Sequence, residues 1–460
     1  MSRLERGRIY HCRELSSGRT GHLVVSDTEM ALDLFDYDEF FHIEGGAVLH
    51  CRLETSRTAS LHKTSAGSSG RRIVHGPEPV TTYHSRVHAN AVVVGDQPWE
   101  VDDPISRASF CIQHTKDMLW SSKKVRQFAR GSLAMSSVDT QVFDIRASDL
   151  RVRCWYAGTG SFDLGLSEWW PIFEIEFDTP RRLDTYLDDI HRILRFFSAA
   201  AGFQLTPSKI GISRLSHEEM LTRIKKGTSA HDHEVEYMWP EASVRRVDLG
   251  LHYAFACAVD KREAKALSSC LAAWLDRAED WEEASTLMMG SLALHNEVSA
   301  DRLLMACRWL EKIPGASADQ ALADEALTKI VDAAVQEAAQ MGFSGLKSRI
   351  EGALKALKSE AHRDRFARLI ATVRVRFPNV CLSEDTIPQL LRALQVRGTI
   401  AHGLYEESRN DVLDLQRSFT AVEALGYLLM IKDLPMTRKG HGRALSNRVV
   451  RDHQYAATAR

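Results

Sequence analysis

Hydrophobic and polar positions change their period about halfway along the chain. From residue 20 to about 178, short apolar runs alternate with polar residues and are cut by Gly, Pro, Ser and Asp. GHLVVS (21–26), GAVLHCRLE (46–54), NAVVVG (90–95), ASFCIQ (108–113), QVFDIRA (141–147) and LRVRCWYAG (150–158) read as strands, as does the alternation from Ile172 to Phe177. A period of two puts every second side chain on one face, so these segments predict a β-rich, largely antiparallel, sandwich- or barrel-like domain. Thr179-Pro180 then opens a helix at about 181–201, with Leu183, Leu187, Ile190, Leu194 and Phe197 on one side and Gly202 as its stop. Phe203 to Leu215 reads as one more strand-like stretch, followed by a polar linker.

From about residue 257 the period becomes helical. Helices are predicted over roughly 260–279, 281–296, 299–313, 317–341, 344–358, 360–376, 386–402 and 410–432. The last carries Val412, Leu415, Phe419, Val422, Leu425 and Leu429 as a continuous stripe behind Asn410, a candidate N-cap. After Pro435 the stripe is lost and the chain turns basic, with Arg438, Lys439, Arg443, Arg448, Arg451 and Arg460 against the single acid Asp452. The expected class is α+β and multidomain: a β-rich sensor or regulatory domain over 1–255, an all-helical domain over 256–436, and a basic C-terminal tail over 437–460.

Bulk properties narrow the function classes. With 460 residues, 44% hydrophobic and 26% charged, the chain has a globular balance and length for two or three domains. A formal net charge of −2 means that an anionic partner must be held by a local basic patch. The opening MSRLERGRIYHCREL has no apolar signal core, and no stretch reaches the roughly 18 apolar residues of a membrane helix. Eight scattered cysteines without a CxxC pair argue against a zinc site or a disulfide framework. A cytoplasmic protein without a membrane partner, bound metal or cofactor is expected.

Strong catalytic signatures are missing: there is no GxxxxGK[ST], HExxH, GxSxG or EF-hand loop. His231/His233 and His84/His88 read as solvated surface histidines. The aromatics Trp155, Tyr156, Trp169 and Trp170 read as core of the β-rich domain.

What remains is Arg397-Gly-Thr-Ile-Ala-His402. The R-x4-H spacing also occurs at Arg6/His11, Arg57/His62 and Arg448/His453, so spacing alone decides nothing. Context does: only Arg397/His402 lies within a strong amphipathic helix flanked by two others. At about 100° per residue, Arg397 and His402 fall on opposite sides of a seam formed by Ile387, Leu390, Leu391, Leu394, Gly398 and Ala401. Gly398 and Ala401 would admit a second helix, and a two-fold copy would bring two such pairs into one groove. His402 precedes Gly403, a helix stop, where the C-terminal dipole favours an imidazolium. An imidazole titrating near neutrality and a guanidinium that can grip a phosphate suffice to cleave RNA through its own 2′-hydroxyl.

VRGTIAHG (396–403), between two bundle helices, resembles the R-x4-6-H signature of the HEPN superfamily. Together with the β-rich first half, the chain is similar to the ApeA-like HEPN proteins of anti-phage defence. DRLLMACRWLEKI (301–313) and FSGLKSRIEGALKAL (343–357) also resemble earlier helices of that type. The resemblance implies a HEPN bundle and a metal-independent endoribonuclease that is dimeric at the motif. It further implies an enzyme that waits for a phage-derived or cellular trigger and cuts RNA, tRNA being one expected target. In that scheme Arg397 stabilises the phosphate and His402 is the general acid/base. Glu311, Thr399 and Tyr405 would support them, and Arg438, Lys439 and Arg443 would bind RNA. Gly398 departs from the pattern, since HEPN nucleases often carry a polar residue there. The alternative is a non-catalytic HEPN module that binds nucleotides or RNA within a regulated complex.

Overall fold

The computed structural model describes residues 4–458 other than 6, 27–28, 75–79, 117, 121–124, 128–132, 136–139, 162–164, 229–231, 238–253, 259, 404 and 406–411. Two compact units result: Met1–Leu194, Leu205–Asp248 and Cys257–Leu275 form unit 1, and Arg195–Gln204, Leu249–Ala256 and Asp276–Arg460 form unit 2. The boundary expected after residue 255 is thus crossed in both directions. The reason is packing: residues 195–204 give buried Phe196, Phe197 and Phe203 to unit 2, where the ring of Phe196 meets that of Phe255 at 5.9 Å.

Unit 1 begins with β1 (Arg8–Glu14), β2 (Thr20–Val25), β3 (Met30–Asp36), β4 (Leu49–Leu53), β5 (Thr58–His62), β6 (Ser65–Val74), β7 (Val80–His88) and β8 (Ala91–Gly95). It continues with β9 (Ile105–Ile112), β10 (Val125–Gln127), β11 (Leu133–Met135), β12 (Gln141–Ala147), β13 (Leu150–Ser161), β14 (Gly165–Arg181), β15 (Pro207–Ser213) and β16 (His233–Tyr237). These strands hydrogen-bond into one sheet in the order β10-β11-β14-β9-β15-β16-β8-β5-β4-β1-β2-β3-β7-β6, with β13 joining β14 to β12. Alternation does what the sequence suggests: in β1, Tyr10 and Cys12 are buried while Ile9, His11 and Arg13 are exposed. Leu23, Leu32, Leu61, Val87 and Val92 share the core beneath this half of the sheet.

Tyr156 and Trp169 are core, as expected, but Trp155 and Trp170 are only half-buried because they occupy the alternate positions of β13 and β14. His84 is not a solvated histidine: it hydrogen-bonds to Asp33 at 2.8 Å across the sheet. His231 lies outside the described residues, and its expected partner His233 belongs to β16.

One strand runs further than its composition predicts. β14 continues through Thr179-Pro180 to Arg181, and the helix α1 (Tyr186–Ala201) starts later than the expected residue 181. Pro180 falls in a register shift between Glu176 and Arg181, where its missing N–H breaks no ladder bond. Gly202 ends α1 with a φ of +82°, and a Cβ there would lie 2.1 Å from the Asn447 amide oxygen.

After α2 (His217–Lys225) and α3 (Lys261–Asp276), unit 2 holds α4 (Glu282–Ala293), α5 (Ala300–Lys312), α6 (Asp324–Gln340), α7 (Lys347–Leu354), α8 (His362–Arg376), α9 (Ile387–Ala401) and α10 (Val412–Ile431). The N-cap assigned to Asn410 lies outside the described residues. α6 starts seven residues after the predicted 317, and neither α6 nor α7 contains a buried residue. Among the described residues, no helix is long and apolar enough to cross a membrane.

The expected basic tail is folded. Residues 438–458 form α11 (Arg438–Leu445) and α12 (Arg448–Thr458), with α12 packed along α10. Val449, Val450, His453 and Ala456 are buried, a short stripe set among the arginines of the segment. Their burial explains why a charged segment folds: few but well-placed apolar groups are removed from water, while Arg438 and Lys439 stay exposed and Arg443, Arg448 and Arg451 are half-buried.

Burial also sets a pH response. His453 is 1% exposed and its imidazole is pushed down to about 4 by desolvation; in unit 1, His62 at 2% exposed is pushed to about 4, again mainly by desolvation. The unfolded chain protonates these residues near 6.5 and the folded chain does not, so stability falls as pH drops from about 6.5 toward 4. Each histidine is expected to cost on the order of 3 kcal/mol across that window. Urea midpoints at about pH 7 and about pH 5 check this. His453→Leu should narrow the gap, and an unchanged gap would remove His453 as its cause.

Candidate functional site

Ser383 caps the 3₁₀ turn Glu384–Thr386 that leads into α9, and Pro388 occupies the first turn of that helix. Both features suit a helix start, since proline lacks a donor that would be orphaned there. The buried positions of α9 are Ile387, Leu390, Ala393 and Val396. This face is rotated from the seam read in the sequence: Leu391, Leu394 and Gly398 are half-buried, and Ala401 is exposed. A Cβ on Gly398 would meet nothing within 4 Å.

The rotation decides where Arg397 points. It lies seven residues after Leu390 and four after Ala393, so it continues the inward face rather than flanking it. Its guanidinium Nη1 donates to the Glu311 carboxylate on α5, an ion pair with side chains 33% and 32% exposed. Ser299 caps α5, its hydroxyl accepting from the Arg302 N–H at 3.3 Å. Cys307, one turn before Glu311, is buried, and desolvation pushes its thiol up to about 12 against the opposing pull of Arg397 and Arg365.

Arg365 completes the group from α8. It is 6% exposed, and its Nε donates to the Ala316 carbonyl at 2.6 Å. Burial lowers its basicity, while the nearby Glu311 carboxylate works in the other direction. Glu311 thus serves two arginines, one nearly buried and one reaching solvent. Nothing in the sequence singles out Arg365 or Cys307, because each becomes relevant only when α5, α8 and α9 are packed.

His402 stands apart. It is exposed at the C-terminal end of α9, its backbone N–H donating to Gly398 O at 3.1 Å, and Gly403 turns the chain with a φ of +67°. It lies five positions after Arg397, about 140° around the helix and about 7.5 Å along it. No side-chain partner of His402 is found among the described residues. The two side chains are therefore on one helix end but do not touch.

Thr399 is exposed, and its hydroxyl bonds back to Val396 O at 2.7 Å, a local helix contact that does not reach Arg397. Tyr405 is half-buried beside a stretch outside the described residues. Arg438 and Lys439 are exposed on α11, which Thr437 caps through its hydroxyl and the Gly440 N–H at 2.9 Å; Arg443 is half-buried. Arg376 at the end of α8 donates to Lys432 O at 3.0 Å, and its charge depresses the His441 imidazole, which burial has already lowered. This gathers Arg376 with the α11 basic residues at the opposite end of α8 from Arg365. Eleven residues of helix separate the two, about 16 Å.

No family model, curated protein or solved structure matches the chain.

Proposed function

We propose that unit 2 is a HEPN-type helical domain that cleaves RNA by metal-independent transesterification. What supports the reading above all is the Arg397 guanidinium, held at half exposure by Glu311 on the same helix end that His402 closes. A carboxylate that occupies one guanidinium nitrogen fixes the plane and leaves the remaining N–H groups for phosphate oxygens. His402 as base would take the 2′-hydroxyl proton, the 2′-oxygen would attack phosphorus as the P–O5′ bond breaks, and the 5′-oxygen would leave with the proton returned by the resulting imidazolium. The products are a 2′,3′-cyclic phosphate and a 5′-hydroxyl end.

Since Arg397 and His402 diverge by about 140° within one copy, a homodimer through α9 suits the reaction better than a single chain. The half-buried strip of Leu391, Leu394 and Gly398 is the face a second α9 would cover. Unit 1 is then the sensor of a phage-derived or cellular trigger, and the protein is a cytoplasmic defence effector acting on RNA such as tRNA. Arg438, Lys439 and Arg376 would track the RNA backbone.

The second reading, a non-catalytic HEPN module that binds RNA or nucleotides, is favoured by one feature. Gly398 brings no polar side chain to the position after Arg397, and the space beside it is open. Purified protein incubated with tRNA in EDTA separates the two. The first reading expects cleavage with cyclic-phosphate ends. Retention of intact RNA, or activity that returns only with added metal, would sink it.

A further inference from the structure

The outward face of the first sheet half in unit 1 carries an unusual row of rings. His11 on β1 meets His22 on β2 edge-on, with ring centroids 4.7 Å apart. His22 meets Phe35 on β3 at 5.4 Å, and Phe35 stacks with His84 on β7 at 5.2 Å and an interplanar angle of 25°. The row crosses four neighbouring strands without interruption. Phe35 is 40% exposed, and His11 is exposed as well. A solvent-facing sheet surface has no need of flat, partly apolar rings at this density, since polar residues would cover it without exposing hydrocarbon.

Two cations meet on the same face. Arg13 on β1 stands directly opposite Arg52 on β4, and both are exposed. Like charges at facing positions destabilise a strand pair. Each guanidinium donates only to a carbonyl, Arg13 to Gly18 O at 3.0 Å and Arg52 to Ser56 O at 3.0 Å, and neither has an acidic partner among the described residues. The acids along this face are already engaged: Asp33 by His84 at 2.8 Å, Glu29 by Arg86 at 2.6 Å, and Glu54, whose N–H donates to His11 O at 2.9 Å, by Arg8 at 3.8 Å. The face therefore offers rings in a line and a pair of uncompensated cations at one end of it.

We propose that this face is a docking platform for a single-stranded nucleic acid, with bases over the ring row and phosphates on Arg13 and Arg52. Rings and bare guanidinium groups side by side favour this ligand over an acidic peptide, which would satisfy the arginines but leave the rings uncovered. A base presents a flat face for stacking and a phosphate one strand away, the combination that sheet-based single-strand binders use. The site belongs to unit 1 and stands or falls separately from the chemistry proposed for unit 2.

The test uses the full chain with two fluorescein-labelled probes, oligothymidylate and 2′-O-methyl oligouridylate. Neither has a free 2′-hydroxyl, so cleavage cannot enter the reading, and comparing them separates DNA from RNA. Phe35→Ala should weaken binding about tenfold. Arg13→Gln with Arg52→Gln should weaken it as much and flatten the dependence on salt. All these side chains are exposed, so circular dichroism should be unchanged and a binding loss is a surface effect. The proposal is overturned if neither probe binds at low salt, or if Phe35→Ala and His22→Ala leave binding intact. It is equally overturned if polyglutamate displaces the probes as well as unlabelled oligonucleotide does. Loss of binding on Arg438→Glu with Lys439→Glu, with no effect of the unit 1 variants, would place the nucleic acid on unit 2 alone.

Discussion

Replacing His402 with alanine is expected to lower the RNA cleavage rate by about 10²–10⁴-fold, the usual worth of a positioned acid/base group. Arg397→Ala is expected to cost about 10²–10³-fold by removing the charge that stabilises the phosphorane. Arg397→Lys should recover little, since an ammonium cannot present two parallel N–H groups to a phosphate. His402 is exposed and terminal on α9, so its variant should keep the melting temperature of the parent. Arg397 is different, because its removal leaves Glu311 facing Arg365 alone. Glu311→Gln completes the set: a guanidinium freed from its carboxylate should still bind phosphate, with a smaller loss of rate than Arg397→Ala. Initial rates on one tRNA, together with thermal melts, distinguish these cases. Full activity in both His402→Ala and Arg397→Ala would sink the proposed reaction, whatever the RNA.

A second substitution is expected to threaten the fold of unit 2 itself. Glu423 on α10 and Arg302 on α5 form a buried bidentate pair, with Nε to Oε1 at 2.9 Å and Nη2 to Oε2 at 2.7 Å. Their side chains are 3% and 7% exposed, and Ser291 on α4 donates to the same carboxylate at 2.7 Å. Arg302 spends Nη1 on the carbonyls of His295 and Glu297, both at 3.0 Å, and its guanidinium covers the Phe419 ring at 4.2 Å. Three helices therefore depend on one carboxylate. Glu423→Ala strands a buried guanidinium charge, at an expected loss of about 3–5 kcal/mol. Against a typical stability of about 5–15 kcal/mol, that is a large fraction. Replacing both partners at once, Glu423→Leu with Arg302→Met, should be milder than Glu423→Ala, because no charge is then left without a partner. Urea denaturation measures all three proteins. A loss below about 1 kcal/mol for Glu423→Ala would mean that water reaches Arg302.

Much of the secondary structure was readable because its signals are local. QVFDIRA is β12 residue for residue, and helices predicted over 260–279, 299–313 and 386–402 appear as Lys261–Asp276, Ala300–Lys312 and Ile387–Ala401. Alternation, helical period and glycine stops such as Gly202 and Gly403 act within a few residues and need no partner. The candidate pair was legible to the same extent: a helix that ends on His402 with Arg397 just over one turn before it.

Tertiary structure decided the rest. Periodicity could not tell which side of α9 faces the bundle, because apolar residues cover more than half of its circumference. Packing chose Ile387, Leu390, Ala393 and Val396, and so sent Arg397 inward to Glu311, 86 positions earlier in the chain. Likewise Pro180 reads as a helix start until β9 draws β14 on to Arg181, and residues 437–460 read as a basic tail without apolar periodicity until Val449, Val450 and Ala456 find cover. A helix or turn is chosen by bonds between near neighbours, which the sequence displays directly. Which face is buried and which charges meet is chosen by removing apolar area from water across the whole unit, and that sum exists only once distant segments have come together.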